Sequence, residues 1–134
     1  MRVLIVEDHR DIAELVQYNL KAEGFDVSVV YDGPPALIEL RKGTFDLLVL
    51  DLMLPTISGL EVCKRVRSDP ALKHLPILIL TARGEESVRR LAFALGANDY
   101  LAKPFNPTEL RSRARTLLRS SESPQPSEPV LHPL

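Results

Sequence analysis

The chain has 134 residues, 45% of them hydrophobic and 26% charged, with a formal net charge of −1. That is the length and balance of one globular domain with a buried core, without the global basic field that nucleic-acid binding by this segment would need. The lone Cys63 excludes a disulfide framework and a thiolate metal site, and no apolar run is long enough to span a membrane.

The first strand is expected over Arg2 to Val6, ending on Glu7-Asp8. A strand that starts at once is expected to leave no room for a signal sequence, and the expected compartment is the reducing cytoplasm. Asp8 or Asp11 is positioned to cap a helix whose inner stripe is Ile12, Leu15, Val16 and Leu20, and Gly24 ends it. Val27 to Val30 is a short β-branched strand. Asp32-Gly33 turns the chain, and Pro34-Pro35 suit the first turn of a helix with Ala36, Leu37 and Leu40 inward.

Leu47 to Leu50 is the most apolar strand, and Asp51 closes it. Such a run reads as buried on both faces, and a carboxylate at its end sits where open α/β sheets bind ligands. A loop with Pro55, Ser58 and Gly59 leads to a helix carrying Leu60, Val62, Cys63 and Val66, with Cys63 a small core hydrophobe. Ile77 to Leu80 is the fourth strand, ending on Thr81. Glu85-Glu86 opens a helix with Val88, Leu91, Ala92 and Leu95 inward, and with Arg89, Arg90 and Phe93 outward. Asn98 to Ala102 is the fifth strand and leads to Lys103. Asn106-Pro107-Thr108-Glu109 then combines an N-cap, a proline at N1 and a glutamate at N3. The helix it opens turns Leu110, Ala114, Leu117 and Leu118 inward and Glu109, Arg111 and Arg113 outward.

Five strands alternating with five helices call for a parallel sheet covered on both faces. Glu7, Asp8, Asp51, Thr81 and Lys103 would then gather at one edge of it. From Ser120 the composition turns polar and proline-rich, so residues 1–119 read as the domain and 120–134 as a linker or tail.

Val6-Glu7-Asp8, Asp51-Leu52-Met53-Leu54-Pro55 with Gly59, Thr81-Ala82, and Tyr100 ahead of Lys103-Pro104-Phe105 together resemble the receiver domain of two-component response regulators. The likeness runs from Arg2 to about Arg119 and is nearest to the winged-helix transcription regulators. It implies a flavodoxin-like fold with strand order 2-1-3-4-5. It also implies a phosphoacceptor signalling domain, which catalyses only its own phosphorylation and dephosphorylation. Asp51 would take a phosphoryl group from a sensor histidine kinase, Thr81 and Lys103 would contact that group, and Thr81 with Tyr100 would form a switch. Mg²⁺ would be held by Asp8, Asp51 and the Met53 backbone carbonyl, with Glu7 acting through water. The Lys103–Pro104 bond would be cis, and Arg83 is either a tuner of hydrolysis or a solvated arginine. A dimer face on phosphorylation would use Arg89, Phe93, Asp99, Glu109 and Arg113. Nucleic acid would be met only through an output domain beyond Leu134, if there is one.

Other chemistries fit less well. Phosphatases of the haloacid-dehalogenase type usually carry a second aspartate two residues after the nucleophile, where this chain has Met53. A flavodoxin-like cofactor binder lacks its phosphate loop after the first strand, and a contact-only pseudo-receiver would not keep Asp8, Asp51, Thr81 and Lys103 together. His9, His74 and His132 are scattered, and the sequence assigns none of them a role.

Overall fold

A computed structural model of the chain describes residues 1–122, so the expected linker lies outside the described residues from position 123 onward. The elements alternate as β1 (Arg2–Val6), α1 (Arg10–Ala22), β2 (Asp26–Val30), α2 (Gly33–Lys42), β3 (Leu47–Leu50), α3 (Gly59–Ser68), β4 (Ile77–Thr81), α4 (Glu86–Ala94), β5 (Asp99–Ala102) and α5 (Pro107–Glu122). The last helix therefore runs three residues past the expected domain boundary at 119.

All strand pairs are parallel, in the order β2-β1-β3-β4-β5. Because crossovers between parallel strands are right-handed, reversing direction after β2 puts helices on opposite faces of the sheet. Side-chain alternation along the strands then builds two core layers. Leu4, Val6, Leu48, Leu50, Ile77, Ile79 and Tyr100 pack toward Ala36 and Leu40 of α2, Val62, Cys63 and Val66 of α3, and Ala92 of α4. Val3, Ile5, Leu47, Val49, Leu78, Leu80 and Leu101 pack toward α1 and α5, through Val16, Leu20, Leu110, Ala114 and Leu118. The central strands are buried from end to end, as their unbroken apolar runs require.

Two expectations about helix faces are corrected. On α1 the residues turned in are Ala13, Val16, Asn19 and Leu20, while Leu15 is exposed. Asn19 is tolerated there because its amide donates to the Leu15 carbonyl at 2.9 Å. The N-cap of α1 is His9, not Asp8 or Asp11. On α4 only Ala92 is fully buried, and Leu91, expected inward, is 46% exposed beside Phe93 at 37%. The start of α5 is as read: Asn106 Oδ1 accepts from the backbone N–H groups of Thr108 and Glu109 at 2.8 and 3.4 Å. Lys103–Pro104 is cis.

Candidate functional site

The switch in winding direction separates β1 from β3 at their C-terminal ends, and the acidic residues meet there. Asp51 leaves β3 with its N–H donating to the Val6 carbonyl at 3.0 Å, which sets it beside Glu7 and Asp8. Lys103 leaves β5 with its N–H on the Thr81 carbonyl at 2.9 Å, and its side chain crosses the edge. Its Nζ lies 2.6 Å from Glu7 Oε1 and 3.2 Å from Asp51 Oδ2. The Lys103, Glu7 and Asp51 side chains are 11%, 3% and 2% exposed, so the ion pairs are shielded from solvent.

One ammonium against two buried carboxylates and the half-buried Asp8 leaves negative charge uncompensated. Burial pushes the Glu7 carboxyl above its ordinary pKa of 4.5; the Lys103 hydrogen bond pulls it back and the Asp51 charge pushes it further up. Asp8 Oδ1 is buried with no hydrogen-bond partner among the described residues. Glu7, Asp8, His9 and Asp51 each present a ligand atom within 4.8 Å of the others. An orphaned carboxylate oxygen and surplus negative charge fit a hard divalent cation such as Mg²⁺.

The loop after β3 is anchored from several sides. The Met53 N–H donates to Asp51 Oδ1 at 3.2 Å, while the Met53 side chain lies open to solvent. The Gly59 N–H donates to the Leu52 carbonyl at 2.9 Å, and Ser58 caps α3 through the Glu61 N–H at 3.2 Å. At Gly59 a Cβ would stand 2.2 Å from the Asp51 carbonyl oxygen and 2.7 Å from Leu52 Cα, so only glycine admits this close approach. Asp32, read from sequence only as a turn residue, ties this loop to the end of β2: it accepts from the Gly33 N–H at 2.7 Å and from the Thr56 hydroxyl. The Thr56 bond comes first in holding its carboxyl below the usual range.

Thr81 is fully buried at the end of β4, its Oγ1 accepting from the Arg83 N–H at 3.3 Å. Tyr100 lies inward, with its ring 6.5 Å from that of Phe93. Its hydroxyl is buried without a partner among the described residues, and burial raises its pKa. A buried unpartnered hydroxyl costs about 1–3 kcal/mol. Tyr100→Phe is therefore expected to stabilise the domain by about 1 kcal/mol in urea titration, and a loss of stability would show that the hydroxyl is bonded.

On the expected dimer face, Arg113 pairs within the chain with Asp99 and Glu109, both at 2.6 Å. Arg89 lies over the Phe93 ring at 5.3 Å and 4.0 Å from Glu86.

The family model for the response regulator receiver domain matches residues 3–115. The chain belongs to that family. As a receiver domain it is 46% identical over 121 residues to the phosphate regulon transcriptional regulatory protein PhoB of Rhizobium meliloti (strain 1021), covering 90% of this chain and 53% of that protein. It is 44% identical over 126 residues to the alkaline phosphatase synthesis transcriptional regulatory protein PhoP of Bacillus subtilis (strain 168), covering 94% and 52%. The receiver thus spans about half the length of these curated relatives, which are transcription regulators of the type its motifs resemble. Among solved structures it is similar to the chemotaxis response regulator CheY4 of Vibrio cholerae. The TM-score is 0.82 at 34% identity, over 87% of this chain and 97% of that one.

Among the described residues no helix is long and apolar enough to cross a membrane.

Proposed function

We propose that Asp51 is the phosphoacceptor of this receiver domain. The observation that carries this reading is the Asp51 carboxylate itself. It is buried at the C-terminal end of the central strand, with Lys103 Nζ 3.2 Å from one oxygen and the Met53 N–H 3.2 Å from the other. Transfer forms a bond from an Asp51 carboxylate oxygen to phosphorus and breaks the phosphorus–nitrogen bond of a phosphohistidine on a sensor kinase. Lys103 sits where it offsets charge developing on the phosphoryl oxygens, and Thr81 offers its hydroxyl to the transferred group. Asp8, Asp51 and the Met53 carbonyl would hold Mg²⁺, with Glu7 acting through water. When bound, the ion neutralises phosphoryl charge alongside Lys103. The domain promotes its own phosphorylation and dephosphorylation and acts on no other molecule.

The receiver unit, expected over residues 1–119 and carried by α5 to Glu122, belongs to a cytoplasmic regulator and is followed by a linker or tail and by an output segment, if there is one, that would contact nucleic acid. Incubating the chain with acetyl phosphate and Mg²⁺ should add one phosphoryl group by intact mass, and none in chelator. Full labelling in chelator would overturn the metal requirement.

Phosphorylation would reach the face made by α4, β5 and α5 through Thr81 and Tyr100. The exposed Phe93, with Arg89, Asp99, Glu109 and Arg113, would there form a weak homodimer. Arg113 is held by its own Asp99 and Glu109, so those pairs must be exchanged or shared on association. Light scattering should show a monomer that gains mass with beryllofluoride, and Phe93→Asp should remove the gain. A gain that survives this substitution would place the contact on another face.

A further inference from the structure

Pro34 and Pro35 are the second and third residues of α2, so its first turn lacks the two N–H groups that an N-cap side chain ordinarily serves. The N-cap is Asp32, and its carboxylate accepts from the N–H of the first residue, Gly33, at 2.7 Å. Its spare lone pairs go to the loop after β3. Asp32 Oδ1 accepts from the Thr56 N–H at 3.3 Å, and Oδ2 accepts from the Thr56 hydroxyl. Among the described residues, no other hydrogen bond ties residues 54–57 to the rest of the fold. The neighbouring residues pack as well. Gly33 is buried, and a Cβ there would stand 2.5 Å from Ile57 Cγ1 and 3.1 Å from Val62 Cγ2. Asp32 and Gly33 thus grip Thr56 and Ile57, at the far end of a loop whose near end is Asp51 and Met53.

Resting on the reading that Asp51 accepts a phosphoryl group beside Mg²⁺, we propose that Asp32 is a positioning residue for that site. Acting through Thr56, it fixes the far end of the loop and with it the Met53 carbonyl, one of the proposed ligands. The route follows the backbone. The Met53 N–H is held on Asp51 Oδ1 at 3.2 Å, but the Met53 carbonyl lies in the peptide plane shared with Leu54. Its direction is therefore set by the residues that follow, and Thr56 is the one among them that Asp32 anchors. What Asp32 supplies is hydrogen-bond geometry rather than charge. An asparagine there could accept from both N–H groups with its oxygen and donate to the Thr56 oxygen with its amide.

The test uses the 134-residue chain as wild type, Asp32→Ala, Asp32→Asn, Thr56→Val and the double variant Asp32→Ala/Thr56→Val. Calorimetry reads Mg²⁺ affinity, and NMR reads hydrogen exchange of the Met53 amide in chelator, with no ion present. Asp32→Ala should weaken Mg²⁺ about tenfold and speed Met53 exchange, as loss of a partner behind a metal ligand does. Thr56→Val keeps its N–H bond and should lose less, in the same direction. The double variant should be no weaker than Asp32→Ala, because the two residues act as one link. Asp32→Asn should stay within about twofold of wild type. Leu40→Ala, which empties a core position of the same helix, should lower stability and leave Mg²⁺ affinity unchanged. Wild-type affinity in Asp32→Ala overturns the proposal, as do additive losses in the double variant or an equal loss in Leu40→Ala. An Asp32→Asn as weak as Asp32→Ala overturns it by assigning the effect to charge. Lost affinity with unchanged Met53 exchange overturns it too, since nothing then passes along the loop. Asp8→Asn checks the reading beneath: if wild type binds no Mg²⁺, or Asp8→Asn binds it equally well, the cation site falls and this role with it.

Discussion

Asp51→Asn should take up no phosphoryl group from acetyl phosphate, whereas wild type takes up one. The amide matches the carboxylate in shape but lacks the charged oxygen that attacks phosphorus, so the expected loss is complete rather than partial. The substitution keeps part of the surroundings: the introduced amide oxygen would still accept from the Met53 N–H and Glu7 would still hold Lys103 at 2.6 Å, while the 3.2 Å pair between Lys103 and Asp51 Oδ2 is lost. Removing one negative charge from a crowded group relieves repulsion. The metal-free fold should therefore be as stable as wild type or slightly more so, and a loss above about 1 kcal/mol in denaturant titration would show a structural role for Asp51. Lys103→Ala should slow labelling without moving its site, because Asp51 would remain while the fixed positive charge is lost. Labelling that persists in Asp51→Asn and maps to Asp8 or Glu7 would overturn the assignment.

The second large effect is expected at Gly59. In an ordinary first helical turn, Gly→Ala is favourable by up to about 1 kcal/mol. Here the added Cβ would sit 2.2 Å from the Asp51 carbonyl oxygen, 2.7 Å from Leu52 Cα and 2.9 Å from the Asp51 carbonyl carbon. All three are backbone atoms, so no side chain can rotate away to make room. Gly59→Ala should cost about 3 kcal/mol in urea titration with an unchanged slope, since overpacking a fixed backbone typically costs about 1–3 kcal/mol and the helix gain offsets little. Phosphorylation should slow as well, because relief of the clash displaces the residue that accepts the group. Gly84→Ala is the control: nothing among the described residues lies within 4 Å of its Cβ position, and stability should change by less than about 0.5 kcal/mol. Equal effects at the two glycines would show that the loop after β3 yields easily.

The strands were readable because burial on both faces demands unbroken apolar runs, and Leu47–Leu50 and Ile77–Leu80 are such runs. Glu7, Asp8, Asp51, Thr81 and Lys103 were readable because each ends or follows one of the strands, and parallel strands bring their C-terminal ends to one edge. The Asn106-Pro107-Thr108-Glu109 start of α5 was equally local, since an N-cap depends on neighbours only a few residues away.

Helix faces were less legible, because periodicity locates a stripe but not its rim. Leu15 lies at such a rim. Leu91 is on the open side of α4, the helix with a single fully buried residue, near the end of the sheet formed by β5. Arg67 had no signal at all: its guanidinium donates to the carbonyls of Gly96, Lys73 and Leu75 and to Asn98 Oδ1, groups outside its own helix. The direction of His9 was also beyond sequence. By itself the sequence determined the strands, their order of appearance and the polar residues that end them, because those follow from local pattern and parallel geometry. Only the tertiary structure decided that the His9 ring faces Glu7 and Asp8 and that Gly59 touches the Asp51 backbone. Both contacts depend on how loops from separate strands pack at the sheet edge, which no local period encodes.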